Sequence, residues 1–197
     1  MIVPNDFDQA RPYDGSEYTA LPIGGHICKI IGARATKSRN GNDMIEVAFD
    51  IAEGGEYDGR FQEQFAARRA QAADAKWPNG GMFRANVYTR DGKTNPYFKG
   101  LITAVEESNT GYSFKAAKDD ENTLKGRMVG FNFGEEEYLN QSAGEVRVGV
   151  KAFYAVSVQT VRNGIEPPKR KTYTPPAGSM PAQSQGFSEV QDDELPF

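Results

Sequence analysis

The sequence predicts a mainly β domain, a five-stranded Greek-key barrel with one helix between the third and fourth core strands, followed by a tail that does not fold. Three observations carry the prediction. Apolar residues alternate at period two in short runs separated by Gly- and Asn-containing turns; one segment repeats at i, i+3, i+4 and i+7; and from Ile165 the composition shifts to Pro, Gln, Ser, Gly and Thr.

Residues 1–23 hold Pro4, Pro12 and Pro22 with little periodicity and read as an N-terminal arm on the outside of the domain. A first strand over 25–36 leads to Asn40-Gly41, a strong hairpin signal. The second strand places Ile45, Val47, Phe49 and Ile51 on one face and Met44, Glu46, Ala48 and Asp50 on the other. Tyr57-Asp58-Gly59 then reads as a turn into a third strand, where Phe61, Glu63 and Phe65 alternate with Gln62 and Gln64. Ala66 to Ala75 suits a short helix, Trp77 to Gly81 a loop, and Met82 to Arg90 another strand-like run ending at Asp91-Gly92. The clearest helix follows, with Asn95 as cap, Pro96 at the first position and Phe98, Leu101, Ile102 and Val105 as its apolar stripe. Two strands close the domain. Arg127 to Phe133 presents Val129, Phe131 and Phe133 on one face, and Val146 to Val158 presents every second residue from Val146 to Val158 on one face.

This order is that of an OB-fold, whose oligonucleotide face surrounds its second and third strands. The domain is assigned to 24–164, with a flexible linker and acidic tip over 165–197. Composition agrees with a globular chain, at 38% hydrophobic and 25% charged residues. There is no apolar run of spanning length and no leader pattern at the N-terminus, so a cytoplasmic protein is expected. The lone Cys28 excludes an internal disulfide and reads as packing.

Single-strand binding without sequence preference needs cations that follow phosphates and flat side chains on which bases stack. Residues 24–42 hold Lys29, Arg34, Lys37 and Arg39 and no acid, a basic first hairpin. Residues 60–99 hold eight bases against three acids. Within them Arg60, Trp77, Arg84, Tyr88, Arg90 and Lys93 are candidate contacts, with Arg84, Tyr88 and Arg90 sharing a strand face. Arg147, Lys151 and Phe153 repeat that chemistry on the last strand. Each of these bases also fits an ordinary solvated face, and Trp77 fits a loop pin equally well. Lys169, Arg170 and Lys171 either extend the groove or neutralise the tail.

Catalysis has little footing. His26 is the only histidine and lies in an apolar strand; there is no phosphate-cradling loop with a following Lys and no nucleophile elbow. Glu46 and Asp50 share a strand face, the one arrangement resembling a magnesium site, without a Lys at nuclease spacing. No enzyme, metal or cofactor is expected.

The tail ends Asp192-Asp193-Glu194-Leu195-Pro196-Phe197. Glu189, Asp192, Asp193 and Glu194 are four of the 27 acids, so the other 23 balance the 23 Lys and Arg and the net charge of -4 resides in the tip. An aromatic ring beside a carboxylate suits a greasy pocket rimmed by Arg or Lys. This tip resembles the acidic C-terminal peptide of bacterial and phage single-stranded-DNA-binding proteins. The body resembles phage-encoded OB-fold single-stranded-DNA binders through Leu21 to Ile27, Met44 to Ile51, Glu56 to Arg60, Asp74 to Gly81, Asn95 to Leu101 and Phe133 to Tyr138. The resemblance implies a protein of phage DNA replication or recombination that coats single-stranded DNA. Asp192 to Phe197 would recruit a polymerase, helicase, primase or recombinase, and also compete with DNA for the groove. Self-association is left open, and no membrane is expected. The alternative is an adaptor whose barrel grips another protein without touching DNA.

Overall fold

A computed structural model describes residues 21–141 and 143–175. Residues 1–20 of the arm expected over 1–23, and the tip Asp192 to Phe197, lie outside the described residues, while Leu21 is buried in the core. Five strands form one antiparallel sheet: β1 (Gly24–Lys37), β2 (Asp43–Ile51), β3 (Met82–Asn86), β4 (Met128–Asn140) and β5 (Glu145–Val156), in the order β3-β2-β1-β4-β5. Three helices join it: α1 (Arg60–Gln71), α2 (Pro96–Ser108) and α3 (Val158–Arg162). The sheet is not closed. β3 and β5 are its edges, and no ladder joins them among the described residues.

The core lies on one face of this curved sheet. Ile45, Val47, Phe49 and Ile51 of β2 are buried as their alternation requires, and Val129, Phe131 and Phe133 of β4 meet them. Phe49 stacks on Phe131 at 4.3 Å between ring centres, and Phe61 packs edge-on against Phe49 at 5.8 Å. The stripe of α2, with Leu101, Ile102 and Val105 buried, closes over β4 and β5. Asn95 accepts a hydrogen bond from Tyr97 N at 2.9 Å, which makes it the cap the sequence indicates.

Several expectations are corrected. The third strand read over Phe61 to Phe65 is the first half of α1. Phe61 and Phe65 fit either period, and a distant residue decides: buried Asp50 accepts from Phe61 N and Gln62 N, each at 2.9 Å, filling the orphan amide positions of a helix start. The Met82 to Arg90 run is a strand only to Asn86; Thr89 N then donates to Lys93 O, making a separate tight turn. β4 runs seven residues beyond the expected end at Phe133. β5 does not keep one face to Val158, because its register against β4 shifts between Asn132 and Phe133 and leaves Phe153 as a bulge. Val146, Val148, Val150 and Ala152 share a face, whereas Tyr154 and Val156 turn to the other. Ser157 then caps α3.

The expected linker also starts later than Ile165. Gly25, Gly130 and Gly134 leave a smooth strip on β1 and β4, and a methyl group on Gly130 would come within 2.5 Å of Val161. On that strip lie Val161, Ile165 and Pro168. Lys171 N donates to Glu135 O at 2.9 Å and Glu137 N donates to Lys171 O at 2.8 Å, so the chain runs parallel to β4 where β1 has left it. Residues 165–173 are therefore a strap on the sheet.

Candidate nucleic-acid interface

Opposite the core, residues from β1, β2 and β3 stand side by side in register: Arg34, Glu46 and Arg84 form one row, Gly32, Ala48 and Met82 the next. Glu46 is buried, and accepts from Arg34 Nε and Arg84 Nε at 2.7 Å each. Burial by itself raises its pKa; the hydrogen bonds and charges of Arg84 and Arg34 outweigh that and hold the carboxyl below its usual value. Two guanidiniums against one carboxylate leave the row with a surplus positive charge.

Across the open seam stands the outer face of β4 and β5. Glu136 carries Lys151 and Lys171, the latter at 2.8 Å. Burial raises the Glu136 pKa, and the two lysines more than reverse it. Aromatic rings flank this pair. Tyr138 lies over Gly149, where a Cβ would sit 3.2 Å from its ring, and Phe153 lies over Gly134, where the same distance is 3.1 Å. Glycine permits both rings to lie close to the backbone instead of standing away from it. Between the two walls runs a groove of about 830 Å³, whose lining includes Met82, Arg84, Tyr97, Tyr138, Lys151 and Phe153.

Three of the predicted contacts, Arg84, Lys151 and Phe153, thus line one groove. Arg34 joins them through Glu46, and Arg147 stands directly across from Tyr138. Others gather at the far end of β2. Lys37 pairs with Asp43 at 2.5 Å, Arg39 projects from the β1–β2 turn, and Val87 N donates to Asp43 O. That last bond brings the turn bearing Tyr88, Arg90 and Lys93 beside the first hairpin; Tyr88 is 53% exposed. Arg84 and Tyr88 do not share one continuous strand as expected, because β3 ends between them.

Lys29 is exposed on β1 opposite Asp50 in the register, and Arg60 starts α1 with its guanidinium 5.7 Å from the Tyr57 ring centre. Neither lines the groove. Trp77 is a loop pin: its Nε1 donates to Gly81 O at 3.0 Å and its ring tilts against Phe65. His26 Nε2 lies 2.8 Å from Pro22 O, with the ring edge-on to Phe133. The two carboxylates of the imagined magnesium site both have other partners, Glu46 its arginines and Asp50 the α1 amides. Sequence reasoning missed Tyr138 and Glu136, since β4 was ended at Phe133; the period-two placement of Glu136 and Tyr138 beyond Phe133 carries the signal. Tyr97, next to Phe98 on α2 but off its apolar stripe, is 56% exposed and lines the groove.

No family model matches the chain, and no curated protein matches it. No helix among the described residues is long and apolar enough to cross a membrane.

Proposed function

We propose that this chain is a binding protein for single-stranded DNA, without sequence preference, that serves phage DNA replication or recombination. The observation carrying the reading is the groove between β3 and β5, which Arg84, Lys151 and Lys171 line together with Tyr97, Tyr138 and Phe153. Cations for the phosphates and rings for the bases, in one groove, are what strand binding needs. The strand order, with α2 between β3 and β4, is compatible with an OB barrel left open at one seam, and this supports the same reading. A DNA path would run from the groove over the Arg34–Glu46–Arg84 row to the turns bearing Arg39 and Arg90. The acidic tip, Asp192 to Phe197, would recruit a replication or recombination protein.

Fluorescence anisotropy of a labelled mixed-sequence oligonucleotide, single-stranded and duplex, tests the reading. Salt-sensitive binding of the single strand is expected, with a slope near -0.7 per phosphate neutralised. Absence of binding at low salt sinks it. The second reading, a protein adaptor, is favoured by one observation: Arg34, Lys37, Arg84, Lys93, Arg147 and Lys151 all sit beside a carboxylate. Such neutralised cations present a weaker field to phosphate, and on that reading the groove holds a peptide.

A further inference from the structure

The distal half of the β4–β5 hairpin leaves apolar side chains in solvent. Val146 is 51% exposed, Val148 45% and Leu139 39%, and Leu139 stands directly opposite Val146. Beyond β5 no strand pairs with its outer edge among the described residues. An edge strand with alternating valines is a template for another strand. Charged residues usually blunt such edges, and here Glu145, Arg147 and Lys151 alternate with Val146, Val148 and Val150.

Those charges select a partner. Backbone groups point to a strand's outer edge at every second residue, so two β5 edges meeting about a two-fold axis match odd residues with odd and even with even. An axis at Arg147 sets that arginine against its own copy, and an axis at Gly149 sets Arg147 against Lys151. An axis at Val146 matches Glu145 with Arg147 but pairs little more than the turn. With the axis at Val148, Glu145 faces Lys151 twice, Val146 faces Val150 twice, Val148 meets Val148, and Arg147 lies across from Gly149. Like charges are nowhere opposed, opposite charges meet twice and the valines form one continuous stripe; an axis at Val150 opposes no like charges either, but it pairs no opposite ones and runs into the bulge at Phe153. Charge complementarity along this edge therefore favours a second copy of the chain over an unrelated strand.

We propose that two copies pair antiparallel through β5, about a two-fold axis at Val148, with Glu145 of each facing Lys151 of the other. The test uses the full chain without nucleic acid, so it is independent of the DNA-binding reading. Light scattering coupled to size exclusion gives a dimer. Val148→Lys, at an exposed position that leaves the core untouched, sets two ammonium groups on the axis and gives a monomer with an unchanged circular dichroism spectrum. Glu145→Lys weakens the dimer about tenfold, because the altered pair occurs twice. The double variant Glu145→Lys with Lys151→Glu restores it. Val148→Cys forms a disulfide-linked dimer on mild oxidation, and Cys28, at 0% exposure, does not compete. A monomer at every attainable concentration overturns the proposal, as does a dimer that survives Val148→Lys or a double variant no tighter than Glu145→Lys.

Discussion

Glu136 lines one wall of the groove, Glu46 stands behind Arg84 on the other side, and the two are built differently. Each is a poorly exposed carboxylate between two cations. Around Glu46 both partners are arginines, placed by the cross-strand register of β1, β2 and β3. Around Glu136 both are lysines, and Lys171 comes from the strap after α3. A guanidinium holds a carboxylate through a rigid fork, whereas an ammonium on a four-carbon stem reorients at little cost. The β1–β3 wall therefore has its charges set by the sheet, while the β4–β5 wall keeps two cations that a phosphate can draw away from their acid.

The largest expected effect comes from reversing a charge on the rigid wall. Arg84→Glu sets a second carboxylate beside Glu46 and lowers single-strand affinity by about tenfold to a hundredfold, read by anisotropy. Lys151→Ala, on the adaptable wall, costs about threefold to tenfold, because Lys171 remains to take its place. Equal losses from the two variants would remove the distinction between the walls.

Stability sharpens the contrast. Glu46→Gln costs about 1–2 kcal/mol in urea denaturation, since it weakens two charge-assisted hydrogen bonds at a buried position. Glu136→Gln costs about 0.5–1 kcal/mol, as its lysines return to water easily. Acid separates them further. Both carboxyls titrate below their ordinary value when folded, so their contribution is complete above the unfolded value of about 4.3 and is lost as pH falls through the lower folded values. Replacing either acid with Gln flattens that acid limb, Glu46 more than Glu136; equal flattening would count against the difference in rigidity. The smallest effect is expected at Arg39, which has no ion pair among the described residues. Arg39→Ala leaves stability unchanged and makes the salt slope shallower by about 0.7 if the strand reaches the first hairpin.

How much of this was legible depends on whether a segment's structure is set locally. The β1–β2 hairpin was, because Asn40-Gly41 and the clean alternation of β2 are near-neighbour signals. So was α2, with its own cap at Asn95 and a four-residue stripe. The start of α1 was not, because Phe61-Gln62-Glu63-Gln64-Phe65 satisfies both periods and the deciding carboxylate, Asp50, is eleven residues away. The bulge at Phe153 left no local mark, and it reversed which residues of β5 share a face. Within the site, the cationic residue types were readable one by one. Their pairing with Glu46 and Glu136, and the rings lying on Gly134 and Gly149, depend on cross-strand partners that only the register supplies.

The strap has a mechanical consequence. Tension applied to the chain beyond Pro175 reaches the sheet before it reaches α3. It passes through the two backbone bonds of Lys171 and the hold of Arg170 on Glu137, at 2.8 Å, directly into β4. Load on the C-terminal end would thus be borne by the strand that carries Glu136 and Tyr138, making that wall of the groove the first part of the sheet to feel the pull.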